Sequence, residues 1–495
     1  METEKNSYQK IFKSTSIVGG SQVFIIILGI IRTKFVAILL GPMGVGIIGI
    51  MQTIIDMVRN ATGFGINFSS VKYIAEASVT EDSTKISKTI RVLRRWAWGT
   101  GILGMIVTII FCIPLSKYSF GDNSYAISIA ILSIVLLISS ISSAQIALLQ
   151  GLRMIGKMAK ASLIGAILGT VITLPLYWWL GINGIVPGLI LTAIVSLIIS
   201  WSFARTVKIR LDKISILESF NSGLKMAKLG FFIVVNGLVA AVSIYIIRAL
   251  VMSKLGVNSV GYFQAVMTIS TLYINILLNS MLADFFPRLS MVNADNAAAT
   301  KLINEQLELT LLFGTPMIIG MITFSNIIIN LLYSSSFSPA IPVLQWQMAA
   351  SFMTFISWPL GVMFLAKDKG KYAIMIELIK QLMFVLIVFV FFDFFGLKVL
   401  GIGFFIASFV YMLLVIPSVK YLGEFKFSKT NINYILIGCV SVLTVLLCSL
   451  FISSMISKYV INISLCIIIS VFYIRKINVL LDTKGLLLKL FYKKK

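Results

Sequence analysis

We single out eight ionisable side chains that lie inside, or at the ends of, long apolar runs of this sequence. Five are cations and three are carboxylates: Arg32, Lys34, Arg59, Arg248, Lys380, Asp56, Asp284 and Glu377. In hydrocarbon such groups are costly, and they survive by pairing, by facing a wet interior or by reaching the membrane surface. Because the set carries a net positive charge, it favours electrostatic binding of an anion.

The residue types exclude several other chemistries. The chain has no histidine, which removes the commonest general base and metal ligand. Its four cysteines lie in apolar runs without paired spacing, so no disulfide framework or zinc site is indicated. We therefore predict no catalytic residue, no metal and no cofactor. Any coupling to a proton or cation gradient would depend on a carboxylate such as Asp56 or Glu377.

The residues Gln52, Asp56, Arg59 and Gly63 are spaced by four, three and four positions. This spacing places them on one face of a helix. One interpretation is a polar wall of a transport path. The alternative is a structural ion pair between Asp56 and Arg59 that fixes this helix to a neighbour.

A second polar stripe has no charge. Gln264, Thr268, Thr271, Asn275 and Asn279 follow the same helical spacing. Amides in hydrocarbon need hydrogen-bonding partners. Sugar hydroxyls in a wet cavity would supply them, and so would polar groups of neighbouring helices.

Two further pairs have the spacing of helical ion pairs. Asp284 and Arg288 are four residues apart near the end of an apolar run, where an interfacial pair is expected. Glu377 and Lys380 are three residues apart inside a run, and both a functional and a structural role remain open.

Arg32 and Arg248 occupy equivalent places in two similar segments. The planar guanidinium fork matches the oxygens of a diphosphate and stays protonated. The pair, with Lys34, Arg59 and Lys380 adding to the field, could hold an anionic headgroup. An arginine near a helix end can equally extend to lipid headgroups.

The composition defines the elements that must position these residues. The chain has 495 residues, 58% of them hydrophobic and only 12% charged, with a net charge of +24. A soluble fold is excluded, since soluble domains are about a quarter charged. Basic residues lie between the apolar runs and form no single patch, so we expect no nucleic-acid partner.

Apolar runs of membrane-spanning length occur about fourteen times, which predicts an all-α integral membrane protein. They lie near residues 14–40, 42–64, 96–115, 125–149, 161–180, 182–204, 228–252, 259–286, 307–333, 341–365, 372–395, 398–419, 431–453 and 459–474.

The connecting segments predict the orientation. Of 42 basic residues, 33 lie in alternate loops and termini, whereas the intervening loops hold only Lys117, Lys254, Lys398 and Lys458. Basic loops remain in the cytoplasm. Both termini are therefore predicted to be cytoplasmic.

An internal repeat relates the two halves of the chain. IIRTKFVAILLGPMGVG at 30–46 resembles IIRALVMSKLGVNSVG at 246–261, at an offset of about 215 residues. Six predicted helices separate the copies, which indicates parallel repeats. We predict a six-helix bundle over 1–204, a cytoplasmic linker over 205–227, a second bundle over 228–420, two additional helices within 431–474 and a basic tail over 475–495.

These segments resemble a known family. Three segments are similar to segments of the lipid-linked oligosaccharide (O-antigen, Wzx-type) flippases. They are the turn Leu40-Gly41-Pro42-x-Gly44-x-Gly46, its repeat Leu255-Gly256…Val260-Gly261, and Phe286-Pro287-Arg288. These belong to the multidrug/oligosaccharidyl-lipid/polysaccharide exporter superfamily.

The resemblance covers roughly residues 10–420 and implies two bundles around a central cavity. It further implies movement of an undecaprenyl-diphosphate-linked glycan across the bacterial inner membrane, with membrane lipids and glycan polymerase or chain-length proteins as partners. The predicted substrate-binding residues are Arg32, Lys34, Gln52, Arg59, Arg248, Gln264, Asn275 and Lys380.

Two other functions remain open. A drug or cation exporter would have the same fold, but a net-negative path would serve a cation better than this positive one. A membrane glycan polymerase should carry a sizeable outer loop, whereas the longest predicted one, at 116–124, is short.

Overall fold

The structure is a computed structural model that describes residues 2–79, 83–207, 214–367, 369–452 and 454–481. Its regular elements over these residues are helices. The α-helices are α1 (Glu2–Thr62), α2 (Ile66–Val79), α3 (Ser83–Ile110), α4 (Cys112–Phe120), α5 (Ala126–Leu132), α6 (Ile134–Gly151), α7 (Ile155–Leu180), α8 (Ile185–Ala204), α9 (Ile216–Met291), α10 (Asn296–Thr323), α11 (Ser325–Leu332), α12 (Ile341–Ala366), α13 (Gly370–Phe395), α14 (Val399–Gly423), α15 (Lys429–Phe451) and α16 (Met455–Leu481). Short 3₁₀ turns lie at Gly181–Gly184, Ser335–Ala340 and Gly396–Lys398.

Over the described residues, nine helical stretches are long and apolar enough to cross a membrane, and the bent pair α3–α4 adds a tenth. Four of the nine contain 39, 50, 58 and 54 residues. A single crossing needs only about 20 residues, so each of these four accommodates two. The predicted all-α membrane fold is confirmed, with room for the fourteen predicted crossings.

The four long stretches are interrupted at glycines, and these glycines form two equivalent pairs. Gly41 (φ 61°, ψ −169°) corresponds to Gly256 (φ 76°, ψ 176°). Gly181 (φ 55°, ψ −131°) corresponds to Gly396 (φ 53°, ψ −136°). Both pairs are 215 positions apart. These backbone conformations are essentially restricted to glycine, so the repeat seen in the sequence is also a repeat of turn geometry.

By its internal contacts the chain divides into two compact units. The first contains Met1–Gly261 with Leu332–Ser334, and the second contains Tyr262–Leu331 with Ser335–Lys495. The division falls within α9, whereas the sequence placed the bundle limits on either side of the 205–227 linker. Those domain limits stay a prediction, and much of the basic tail over 475–495 lies outside the described residues.

The described part of the linker packs on the first unit. Arg95 donates hydrogen bonds to the carbonyls of Ile214 and Ser215, at 3.1 and 3.0 Å. The Trp96 indole donates to the Ser219 carbonyl at 3.0 Å and stacks on Phe220. These contacts fix the first turns of α9 against α3, while residues 208–213 lie outside the described residues.

The last two helices are integral to the second unit. Asn431, at the start of α15, donates to the carbonyl and side-chain oxygens of Asn304 in α10, both at 2.9 Å. Gly438 leaves room for the Phe352 ring of α12, since a methyl group there would overlap that ring. The helices that fall outside the repeated twelve therefore share the core of this unit.

We expect the Gly41→Ala and Gly256→Ala variants each to lower the free energy of unfolding by about 1–3 kcal/mol, the cost of a glycine-only conformation. A methyl group at either position meets no atom within 4 Å, so the effect isolates the backbone. Gly320, in the last turn of α10, has equally open space and no positive φ. Gly320→Ala should therefore be neutral or stabilising in thermal unfolding of the detergent-solubilised protein, and equal effects at all three positions would contradict the prediction.

Candidate functional site

The second half of α1 carries an accessible charged cluster. Arg59 Nη2 donates to Asp56 Oδ1 at 2.7 Å, and Gln52 Nε2 donates to the same oxygen at 3.3 Å. The Arg59 side chain is 49% exposed and that of Asp56 is 35% exposed. The predicted pairing is confirmed, and its exposure leaves the guanidinium open to a ligand.

Arg248 of α9 is buried against the same helix. Its guanidinium donates to the Gly49 carbonyl and the Thr53 hydroxyl, and it lies close enough to Asp56 for an electrostatic interaction. The residue is only 7% exposed. Burial of a charged group is tolerated where its donors find acceptors, so Arg248 ties α9 to α1.

The contact between α1 and α9 extends beyond Arg248. At one end Gly46 and Gly261, equivalent in the repeat, lie so close that a methyl group on either would overlap the other segment's backbone. At the other end Asn60 Nδ2 reaches the Gly237 carbonyl at 3.4 Å. The charged face of α1 is therefore supported along its length by a helix of the same unit.

The structure places the remaining predicted cations of α1 apart from this cluster. Arg32 is half-buried with its guanidinium near the Tyr177 hydroxyl of α7. Lys34 donates to the carbonyl of Tyr333. Arg32 and Arg248 are thus equivalent in the sequence repeat but have different surroundings. Arg32 lies beside a tyrosine hydroxyl, whereas Arg248 is bonded to a neighbouring helix.

Lys380 and Glu377 form a half-buried pair in the second unit. Lys380 Nζ lies 3.5 Å from Glu377 Oε1, and the two side chains are 17% and 22% exposed. The ammonium group also lies over the ring of Tyr411, 5.1 Å from its centroid. Gln381 Nε2 donates to Glu377 Oε1 at 2.8 Å. These contacts satisfy both charges internally, which favours the structural interpretation of the pair.

The polar stripe of α9 is only partly satisfied by its own helix. Gln264 Nε2 donates to the Thr268 hydroxyl at 3.2 Å, while Asn275 and Asn279 are exposed. An amide exposed to hydrocarbon would be costly, so these two side chains favour a wet surface. Further along, Arg288 binds Asp284 at 3.2 Å and approaches Glu305 at 3.9 Å, as expected of an interfacial pair.

The sequence analysis missed three hydroxyl or aromatic partners of these charges. They are Thr53, Tyr177 and Tyr411. Thr53 lies three residues before Asp56, so its helical spacing is the only signal in the sequence that could have identified it.

The helical fold is similar to the folds of solved membrane transporters and flippases. The chain resembles the lipid II flippase MurJ in its inward closed conformation, with a TM-score of 0.70 at 17% identity, covering 94% of this chain and 99% of that one. It also resembles a multidrug resistance MATE family transporter in an inward-facing conformation, with a TM-score of 0.67 at 14% identity, covering 80% of this chain and 95% of that one.

The chain belongs to the polysaccharide biosynthesis protein family, whose sequence profile matches residues 35–342. It is 21% identical over 352 residues to the lipid III flippase of Escherichia coli (strain K12), which covers 70% of this chain and 83% of the relative. An equal match is found with the lipid III flippase of Shigella flexneri. These matches support the predicted resemblance to polysaccharide flippases, and the O-antigen substrate stays a prediction.

Arg248 and Arg59 both lie near Asp56, but they should contribute different amounts to the free energy of unfolding. Removing the buried guanidinium with Arg248→Gln should lower the free energy of unfolding by about 2–3 kcal/mol, the range for charged hydrogen bonds. The matched Arg59→Gln change should cost less than about 1 kcal/mol, because exposed ion pairs are weak. Thermal unfolding in one detergent would measure both losses in free energy of unfolding. A larger loss for Arg59→Gln than for Arg248→Gln would contradict the prediction.

Proposed function

We propose that the protein is a flippase that moves an undecaprenyl-diphosphate-linked oligosaccharide from the cytoplasmic to the periplasmic leaflet by alternating access. The observation that carries the proposal is the exposed Arg59–Asp56–Gln52 cluster, whose two charged residues are the only ionisable ones in the part of α1 that follows Gly41. Membership of the polysaccharide biosynthesis family and the lipid III flippase relatives support the same substrate class.

Arg59 is suited to bind the diphosphate. A guanidinium has five N–H donors, and its bond to Asp56 uses only part of them. Asp56 in turn holds the side chain in one orientation, which reduces the entropy lost on binding. Gln52, one turn away on the same face, presents amide hydrogens to the ligand.

The glycan needs neutral hydrogen-bonding groups. On the second unit Gln264 and the exposed Asn275 supply amides of the kind that bind sugar hydroxyls. Arg32, Lys34 and Lys380 keep their predicted roles in the positive field. No covalent step is required, and the polyprenyl chain stays in lipid during transfer.

The energy source belongs to the same proposal. A proton or cation gradient would act through a carboxylate that changes its charge or its partner during the cycle. Asp56 is paired with Arg59 and lies near Arg248, and Glu377 is paired with Lys380. Asp284 lies at the end of α9 and is 75% exposed, so it is the weaker candidate.

The transported glycan would be an O-antigen repeat unit or a similar oligosaccharide. The glycan polymerase and chain-length proteins would act on it after transport. The likeness to a multidrug transporter concerns the fold. Recognition of a cationic drug would need an exposed carboxylate without a competing cation, whereas Asp56 is already paired with the more exposed Arg59.

Substitutions in the charged cluster should reduce the rate of transport more than they reduce the amount of protein in the membrane. In proteoliposomes that contain a fluorescent undecaprenyl-diphosphate oligosaccharide, Arg59→Gln and Asp56→Asn should slow flipping at least about tenfold, since a charged hydrogen bond contributes about 1.5–3 kcal/mol. Arg153→Gln removes the same charge in a connecting segment and should transport normally. Normal flipping by both cluster variants would refute the site, and deletion of the gene should trap the glycolipid in the cytoplasmic leaflet.

The membrane orientation can be tested by cysteine labelling. After replacement of the four native cysteines, Asn123→Cys should react with an impermeant maleimide from outside the inner membrane. Glu76→Cys, equally exposed in the structure, should react only after permeabilisation. The reverse pattern would overturn the placement of both termini in the cytoplasm.

A further inference from the structure

A groove on the first unit lies between α3 and α8, and each of these helices packs on α6. It encloses about 520 Å³. We call it the lateral groove. Its lining residues are Arg94, Ala97 and Trp98 of α3, Ile141, Ala144 and Gln145 of α6, and Leu197, Ile198 and Trp201 of α8.

The lateral groove lies on the side of α3 opposite the start of α9. Trp96 points towards the start of α9, where it bonds Ser219. Arg94 and Trp98 are offset from Trp96 by two residues in either direction, which places them on the opposite side of the helix at about 100° per residue. Trp98 and Ile198 are 52% and 55% exposed, so the groove opens at the outer surface of this unit.

The groove has a defined depth. Thr100 of α3 and Ser140 of α6 are hydrogen-bonded at 3.2 Å, which sets the register of the two helices. At 1.5 Å per residue, Arg94 lies about 9 Å from that contact and Gln145 about 7.5 Å, both towards the basic loops. The two polar side chains therefore lie at similar depth, near the membrane surface that the charge distribution assigns to the cytoplasm.

Both polar residues lack protein partners. Gln145 is 8% exposed, and no hydrogen bond joins its amide to a residue that the structure describes. Arg94 is exposed and forms no ion pair within the described part of the chain. The Gln145 amide is not among the fully buried, unpaired polar atoms, so it borders the open space of the lateral groove, where a polar ligand would supply its hydrogen bonds.

Aromatic groups flank the opening. Trp98 and Trp201 are each about half exposed, as is typical of tryptophans at the level of lipid headgroups. The guanidinium of Arg205 lies over Trp201, 5.1 Å from the ring centroid, and adds a second positive charge at the rim. The groove thus combines a cationic mouth with an apolar floor.

We propose that the lateral groove binds an anionic phospholipid of the cytoplasmic leaflet. Arg94 holds the phosphate, Gln145 donates to an ester or glycerol oxygen, and the acyl chain lies along Ile141, Leu197 and Ile198. An anionic lipid matches both the charge at the mouth and the apolar floor. This inference does not depend on the transported substrate.

The full-length protein in phosphatidylcholine vesicles tests the proposal with brominated lipids, which quench nearby tryptophans. Brominated phosphatidylglycerol should quench at a lower mole fraction than brominated phosphatidylcholine. This preference should vanish in the Trp98→Phe/Trp201→Phe variant. Arg94→Gln should weaken it about tenfold, as expected for one charged hydrogen bond.

Lys85→Gln is the matched control, because it removes one positive charge from the opposite side of α3. It should keep the preference. Gln145→Leu, which fills the same space without a donor, should weaken binding while leaving thermal unfolding unchanged or improved. Equal quenching by the two lipids, or an unchanged preference in Arg94→Gln, would overturn the proposal. Displacement of phosphatidylglycerol by undecaprenyl diphosphate would also overturn it, by assigning the groove to the transported lipid.

Discussion

The cost of placing charge in hydrocarbon is the constraint on which this structure depends. Three charged side chains meet this constraint in different ways. Arg248 donates to two acceptors of α1 and is almost fully buried. Lys380 has a carboxylate and an aromatic ring. Arg59 is paired with Asp56 and yet remains half exposed, so it retains donors for a ligand.

Backbone geometry provides the second constraint. The paired glycines, Gly41 with Gly256 and Gly181 with Gly396, interrupt the helices almost without intervening residues. In the topology predicted from the sequence, all four lie in the short segments that hold few basic residues. The repeated glycine turns therefore occur in the same segments that are poor in basic residues.

The first unit presents two surfaces of different chemistry. The face of α1 near Asp56 is polar and supported by α9. The lateral groove between α3 and α8 is apolar with a cationic mouth. A protein that handles an amphiphile needs one surface for a charged headgroup and contact with lipid elsewhere, and these features lie on different helices of one unit. Helix α3 contacts both regions. Its Trp96 binds the start of α9, while its Arg94 and Trp98 line the lateral groove.

The sequence by itself determined the all-helical membrane fold, the approximate number of crossings and the Asp56–Arg59 pair. These features follow from local apolar length and from helical spacing within one segment. Only the tertiary structure decided that Arg248 is buried against Gly49 and Thr53, and that Arg32 lies beside Tyr177. It also placed Arg94 and Gln145 in one groove. Contacts between residues distant in sequence depend on how helices pack, and one isolated polar residue in an apolar helix does not reveal its partner.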